Sequence, residues 1–300
     1  MACASRAPFA PAPRGRMSPA ELPQLGKTMS TEFICVTCGT QFAPSEKAPD
    51  DCPICLDERQ YVPAAGQGWT TFARLNRTHS NTFRHDGAVL GIGVAPHFAI
   101  GQRALLLRTP AGNVLWDCVS LLSDAAVEII EALGGIDHIA ISHPHYYTTM
   151  VEWSRRFGDA PIHLNAADRE WVMRPDPAVR FWSGDALEIL DGVTLVRTGG
   201  HFEGGTVLHW AGAHEGKGAL FTGDLIQVTA DARHFAFMRS YPNFLPLGAK
   251  AVERVANRVT PFRFDAVYGA FWDKVVPSDA ADVLKRSVAR HLEWLDRDVA

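Results

Sequence analysis

Two cysteine pairs and three histidines are the residues of this sequence best suited to chemistry. The cysteines fall as Cys35-x2-Cys38-x13-Cys52-x2-Cys55. A Cys-x-x-Cys knuckle aims two thiolates at one point, and two knuckles joined by a short loop close a tetrahedral four-sulfur site. Such a site accepts zinc, as a structural ion, or iron, as an electron carrier. Farther along, the stretch ISHPHYYTTM sets His143 and His145 on either side of Pro144, just past an apolar run. The proline pushes His143 into the extended region, and two extended residues would put both imidazoles on one side. His-x-His alone is a weak metal signal. It gains from His201, which stands between glycine pairs in TGGHFEGG, and from Asp224, which ends the run ALFTGD.

These residues need elements to carry them. A thirty-residue module from about Thr31 to Val62 cannot hold itself by a hydrophobic core, so the cysteine-bound metal supplies its folding energy. Residues 63–69 read as a linker. From Trp69 onward, strand and helix patterns alternate. GAVLGIGV, ALLLRT and GNVLWDC read as strands, and SDAAVEIIEAL as a helix with Ser123 as N-cap and Gly134 as stop. IDHIAIS is a buried strand that delivers His143 at its end, where open α/β sheets place their ligands. A helix is expected directly after His145, over YYTTMVEWSRRFG. PIHLN, GTVLHWAG, GALFTGD and FDAVYG are further strands, and Lys250–Val259 and Ser278–Val299 are helices. Strands in groups with helices between them make an α+β domain over residues 69–300.

The residues CVTCG and APDDCPIC resemble the short rubredoxin-like domain of rubrerythrins and related zinc ribbons. In the larger segment the order is Asp117 after a strand, His143-x-His145, Gly-Gly-His201, then Thr-Gly-Asp224. That order resembles the metallo-β-lactamase fold superfamily. The resemblance implies an αβ/βα sandwich with a metal site at one edge, between two sheets. It also implies a first metal site made by His143, His145 and His201, with Asp224 as the bridging carboxylate. The departures are specific. Where the family's His-x-His-x-Asp-His continues, this chain has Tyr147 and Thr148, and near the family's late histidine it offers only Ala270 and Phe271. Tyr147 is a poor substitute for a carboxylate, because ionising a phenol at pH 7 costs roughly 4 kcal/mol. One metal is therefore expected in the large domain.

Three neutral histidines with an open position are the ligand set that brings a zinc-bound water to a pKa of roughly 7. Asp224 would ligate the same ion or take the water's proton, and Glu203 is a second candidate base. Tyr147, with Tyr146 beside it, could donate a hydrogen bond to a developing oxyanion. Asp117 is expected either to orient a ligand histidine or to accept a core N–H. Cys118 reads as a buried inert thiol. His97, His138, His163 and His209 read as core or edge histidines. The remaining histidines read as surface residues, and Phe271 and Trp272 as core aromatics that could also wall the pocket.

The bulk of the chain narrows the field. It has 300 residues, 47% hydrophobic and 21% charged, and a formal net charge of −4. That balance argues against a nucleic-acid partner held by electrostatics. No run of 18 apolar residues suggests a membrane span. The first thirty residues, rich in Ala and Pro, read as a disordered tail with Met17 and Met29 as alternative starts. They lack the apolar segment of a secretory signal. Paired cysteines without an export signal favour metal over disulfides and a cytoplasmic setting. The expected function is a mononuclear, zinc-dependent hydrolase of a small ester, thioester or amide. A non-catalytic metal- or ligand-binding protein with a degenerate site is the alternative. A redox protein with an iron-loaded module is a third reading.

Overall fold

The computed structural model describes residues 30–87 and 89–297. The expected disordered tail lies outside the described residues. Two sheets face each other. The first has seven strands in chain order: Ser80–Asp86, Val89–Ala95, Ala104–Thr109, Gly112–Trp116, His138–Ala140, Ile162–Asn165 and Val179–Trp182. Its first four strands pair antiparallel and the rest parallel. The second has six: Ala186–Leu190, Val193–Arg197, Thr206–Trp210, Ala219–Gly223, Ala266–Gly269 and Val275–Val276.

Period-two side-chain alternation builds the layers. Along ALLLRT, Leu105 and Leu107 face inward, where they pack with Leu195, Leu208, Phe221 and Tyr268 of the opposite sheet. Ala104 and Leu106 face outward, against the helices Asp124–Ala132 and Met150–Arg156. The second sheet's outer face is covered by Ala249–Val259 and Ala280–Asp296 through Val252, Val255, Val283 and Leu284. Strands buried on both faces explain the near-continuous apolar runs. The result is an αβ/βα sandwich, the metallo-β-lactamase-type architecture. The helix after GNVLWDC begins as expected, with Ser123 Oγ accepting from the Ala126 N–H at 3.2 Å. Strand Ser80–Asp86 was not anticipated, because its residues are half-buried or exposed and carry no apolar alternation.

The four-cysteine cluster is a compact, zinc-ribbon-like module built on strand Phe33–Cys35 and the short helix Pro53–Leu56. Trp69–Thr71, expected to open the large domain, pairs antiparallel with Phe33–Cys35. The module's core of Phe42, Ile54 and the cysteines also takes in Ile100, Trp171 and Met173 from the larger body. Backbone bonds cross between the two at Gln41 N to Thr148 O (3.0 Å) and Ala43 N to Met173 O (3.0 Å). Arg174 adds an ion pair with Glu32 at 3.6 Å and a hydrogen bond to Gln41.

Candidate metal centres and the cap over them

His143 follows strand His138–Ala140 in fully extended conformation, as its proline demands. His145 does not share that conformation. Pro144–Tyr146 is a single tight helical turn, and the expected helix starts only at Met150. The turn still delivers His145, because His201 arrives from the other side. It sits on the loop after Val193–Arg197, where Gly199 and Gly200 take φ +66° and +90°. Asp224 lies directly after Ala219–Gly223.

The three imidazoles converge with ligand nitrogens within 4.8 Å of one another. His145 Nδ1 lies 3.2 Å from His201 Nε2, and His143 Nε2 lies 3.3 Å from Asp224 Oδ1. Two ligands held 2.0–2.1 Å from a tetrahedral ion stand about 3.3–3.4 Å apart, so the three imidazoles fit a shared cation, while Asp224 lies beside His143 and outside that set. The polar atoms support this. His143 Nε2 and Asp224 Oδ1 are buried without a hydrogen-bond partner, a costly state that an ion would relieve. The far nitrogens of His143 and His201 are tied down, whereas His145 Nε2 is buried without a partner. Ser142 Oγ meets His143 Nδ1 at 2.9 Å, and His201 Nδ1 meets the Met238 carbonyl at 3.1 Å, which aims the opposite nitrogen inward. Burial, with the neighbouring histidines and Arg59 adding to it, holds His143 well below the usual imidazole range, so the ring stays neutral and able to ligate. Burial raises the Asp224 carboxyl, offset partly by His201 and Tyr146. Among the described residues no further imidazole or carboxylate completes a second set with these.

The cysteine sulfurs form the other group. Cys35 and Cys55 stand 3.6 Å apart and Cys38 and Cys52 3.7 Å apart. Sulfurs about 2.3 Å from a tetrahedral ion are separated by about 3.75 Å. All four are buried and none is in a disulfide. Hydrogen bonds from its neighbours hold Cys35 far below the usual thiol range, while those same bonds push Cys38 and Cys55 up. Four buried sulfurs so disposed are a cation site. Cys118 is buried too, and burial pushes its thiol well up, as an inert core residue requires.

Two expectations about site residues, those for Tyr147 and Glu203, need correction, and Asp117 takes the second of its two expected roles. Tyr146, not Tyr147, reaches the histidines: its ring centroid is 4.4 Å from that of His143, and its hydroxyl faces Asp224 without closing a full hydrogen bond. Tyr147 lies in the helix-side core, where Asp168 is the carboxylate it senses. The tight turn at Pro144 explains the exchange. Glu203 is exposed and lines an arginine-bearing cleft outside the histidine cluster. Asp117 touches no ligand ring. Its Oδ1 accepts the Ser142 N–H at 2.8 Å and so fixes the backbone just ahead of His143, and burial raises its carboxyl to about 7. Of the histidines read as core or edge residues, His138 and His163 pair with each other at 2.9 Å, and His209 bonds the Arg263 carbonyl. His214 and His291, expected at the surface, bond Tyr268 and the Leu247 carbonyl. Trp272 lies against Gly91 and Gly93, under Arg84, rather than in the site.

One part of the site was not read from the sequence at all. The module covers it. Arg59 lies 3.7 Å over the Phe202 ring and 5.1 Å from Trp171, and its Nη1 donates to the His201 carbonyl at 3.4 Å. Phe202 in turn contacts all three ligand histidines. The cap is clamped by Arg239 on Glu58, by Ser240 Oγ on the Arg59 carbonyl, and by Asn243 on the carbonyls of Glu58 and Gln60. Beneath it, His143, His145 and His201 are 1%, 2% and 1% exposed. Nothing local marks Arg59 as part of the cap, since His201, Phe202 and Trp171 lie far away in the chain and its one near partner, Asp57, is outside the site.

No family model matches the chain. A curated relative does: the chain is 45% identical over 270 residues to the uncharacterized protein YmaE of Bacillus subtilis (strain 168), covering 89% of this chain and 98% of that one. The chain belongs to the YmaE family. Among solved structures, VMB-1 at pH 5.5 superposes with a TM-score of 0.52 at 15% identity, over 72% of this chain and 98% of that one. A B3 metallo-β-lactamase with an active-site glutamic acid gives 0.46 at 19% identity, over 74% and 92%. The metallo-β-lactamase SMB-1 gives 0.47 at 18%, over 69% and 93%. This member of the YmaE family therefore has the metallo-β-lactamase fold, with the zinc-ribbon-like module added on its N-terminal side.

Proposed function

We propose that the protein is a mononuclear, zinc-dependent hydrolase of a small ester, thioester or amide. The observation that carries the reading is the set of three buried, neutral histidines, with Asp224 Oδ1, which has no hydrogen-bond partner, beside His143. A zinc ion at such a set supplies Lewis acidity, polarising a carbonyl and acidifying a water. The protein does the rest. Asp224 Oδ1 would act as the base that takes a proton from water. The Tyr146 hydroxyl would donate to a developing oxyanion. Asp117, through Ser142, keeps His143 from turning. Phe202 and Arg59 shield the histidines from bulk solvent, which strengthens each of these interactions. The cysteine module would carry a second, structural zinc. The substrate is a small molecule, because the cap leaves the histidines inaccessible to a bulky chain until the module moves.

Burial of the ligands under the module also favours a second reading, a non-catalytic metal-binding protein whose site never meets substrate. The deciding experiment is a screen of ester, thioester and lactam substrates on the zinc-loaded protein, with His201→Ala and Asp224→Asn beside it. The hydrolase reading expects His201→Ala to lose metal and turnover together, and Asp224→Asn to lose turnover more than metal. Metal-dependent turnover on none of the substrates would favour the binding protein. Turnover unchanged in His201→Ala would place the chemistry elsewhere.

A further inference from the structure

On the far side of the His201 loop the surface folds into a cleft of about 420 Å³. Four guanidinium groups line it, those of Arg197, Arg239, Arg254 and Arg258, against the carboxylates of Asp185 and Glu203. Gly199 and Gly200 also line it, in the left-handed conformation that keeps side chains out of the approach. The charges are only partly neutralised. Arg258 pairs with Asp185 at 2.5 Å. Arg197 spends its Nε on the Glu203 carbonyl, which leaves its terminal nitrogens and the full charge. Arg254 makes no hydrogen bond or ion pair with any described residue. It stands four residues before Arg258 on the helix Ala249–Val259. Like charges at that spacing repel and weaken a helix, and a bound anion would reverse the sign of that interaction.

The fourth arginine connects the cleft to the cap. Arg239 directs both Nε (3.0 Å) and Nη2 (2.8 Å) to a single oxygen of Glu58. Its neighbours on the strand Met238–Ser240 have other duties. The Met238 carbonyl receives the His201 imidazole, and the Ser240 hydroxyl holds the Arg59 carbonyl. Whatever draws Arg239 into the cleft pulls on the strand that fastens both.

We propose that this cleft binds a small molecule bearing a phosphate or pyrophosphate group, in competition with Glu58 of the module for Arg239. The chemistry is that of guanidinium forks, whose paired N–H donors match phosphate oxygens. The volume suits a small ligand, and the chain's overall negative charge disfavours a nucleic-acid backbone. The site stands whether or not the histidine centre turns over.

Calorimetric titration of the full-length, metal-loaded protein with inorganic phosphate and pyrophosphate, at constant ionic strength, tests it. One anion binds per chain, pyrophosphate tighter than phosphate. The exposed Arg254→Gln weakens binding about tenfold or more, the scale of one charge-assisted hydrogen bond. Glu58→Gln tightens it, because the competitor for Arg239 is gone. Circular dichroism confirms that both variants are folded. Absence of saturable binding, an equal response to sulfate and pyrophosphate, or an affinity indifferent to Arg254→Gln would overturn the site. An affinity indifferent to Glu58→Gln would overturn its competition with the module.

Discussion

Replacing Arg59 with alanine is the sharpest test of the capped architecture. The Arg59 side chain is 7% exposed and its guanidinium is gripped on two sides. Its stack over Phe202 at 3.7 Å is a desolvated cation–π contact, worth about 2 kcal/mol. Its fork on Asp57, with Nε at 2.5 Å and Nη2 at 2.9 Å, is a two-pronged ion pair. Deleting one partner of a fully buried pair costs about 3–5 kcal/mol. Asp57 is 18% exposed and recovers water, so about 1–2 kcal/mol is the appropriate share. Arg59→Ala should therefore destabilise the protein by about 3–4 kcal/mol. Arg59→Lys should cost about half as much, since it keeps the charge but loses the planar stack and the fork. Urea unfolding supplies the free energies. Hydrogen exchange supplies the location, with amides of the Met238–Ser240 strand and of the His201 loop losing protection first. An Arg59→Ala protein within about 0.5 kcal/mol of wild type, with exchange unchanged in both segments, would refute the reasoning and reduce the cap to a surface contact.

Other perturbations have equally definite outcomes. The purified protein should hold two metal ions by elemental analysis, falling to one in His201→Ala and to one in Cys52→Ser. Tyr146→Phe should slow hydrolysis about tenfold to a thousandfold while leaving stability nearly unchanged, since its hydroxyl has no partner to lose. Tyr147→Phe should leave the rate alone. Gly205→Ala sets a new methyl 2.6 Å from Leu225 Cδ2 and 2.9 Å from the Gly199 carbonyl, so thermal unfolding should show a loss of about 1–3 kcal/mol together with metal released from the histidine site. Burial raises the Asp168 carboxyl to about 6, from an ordinary 3.8. A raised acid stabilises the fold below pH 4 and loses that contribution as pH climbs to 6. Asp168→Asn, which keeps the carbonyl that accepts the Gly204 N–H, should thus gain on wild type by about 3 kcal/mol at pH 7 and by nothing at pH 3.5. Paired urea titrations at the two pH values check it.

The candidate ligand residues were legible because each is announced by its immediate neighbours. Spacing alone brings Cys35, Cys38, Cys52 and Cys55 together, and strand ends with glycine or proline place His143, His201 and Asp224. The two-sheet sandwich was legible for a similar reason, since runs such as ALLLRT carry their burial in their composition. What escaped depends on rotation or distance. Choosing between Tyr146 and Tyr147 requires knowing that Pro144 starts a tight turn rather than an extended segment. Glu203 looked like a base because it is two residues from His201, but the loop turns it outward. Arg59 contacts a carbonyl 142 positions away, and no local pattern encodes that meeting. Ser80–Asp86 lies at the edge of its sheet, where half-exposed residues dilute any alternation.

The clamps on residues 57–60 have a consequence for biosynthesis. Every one of them is supplied by residues made much later, Asn243 reaching back 185 positions to Glu58. At translation speeds of about 5–20 residues per second, the cysteine knuckles wait roughly 10–40 s before their last fastener exists. During that interval the module can take up its ion alone, while the histidines are still unmade or open to solvent. Once Asn243 and Ser240 close on the module, the histidine centre is sealed with whatever it holds. An ion held there should then exchange only as fast as the module lets go.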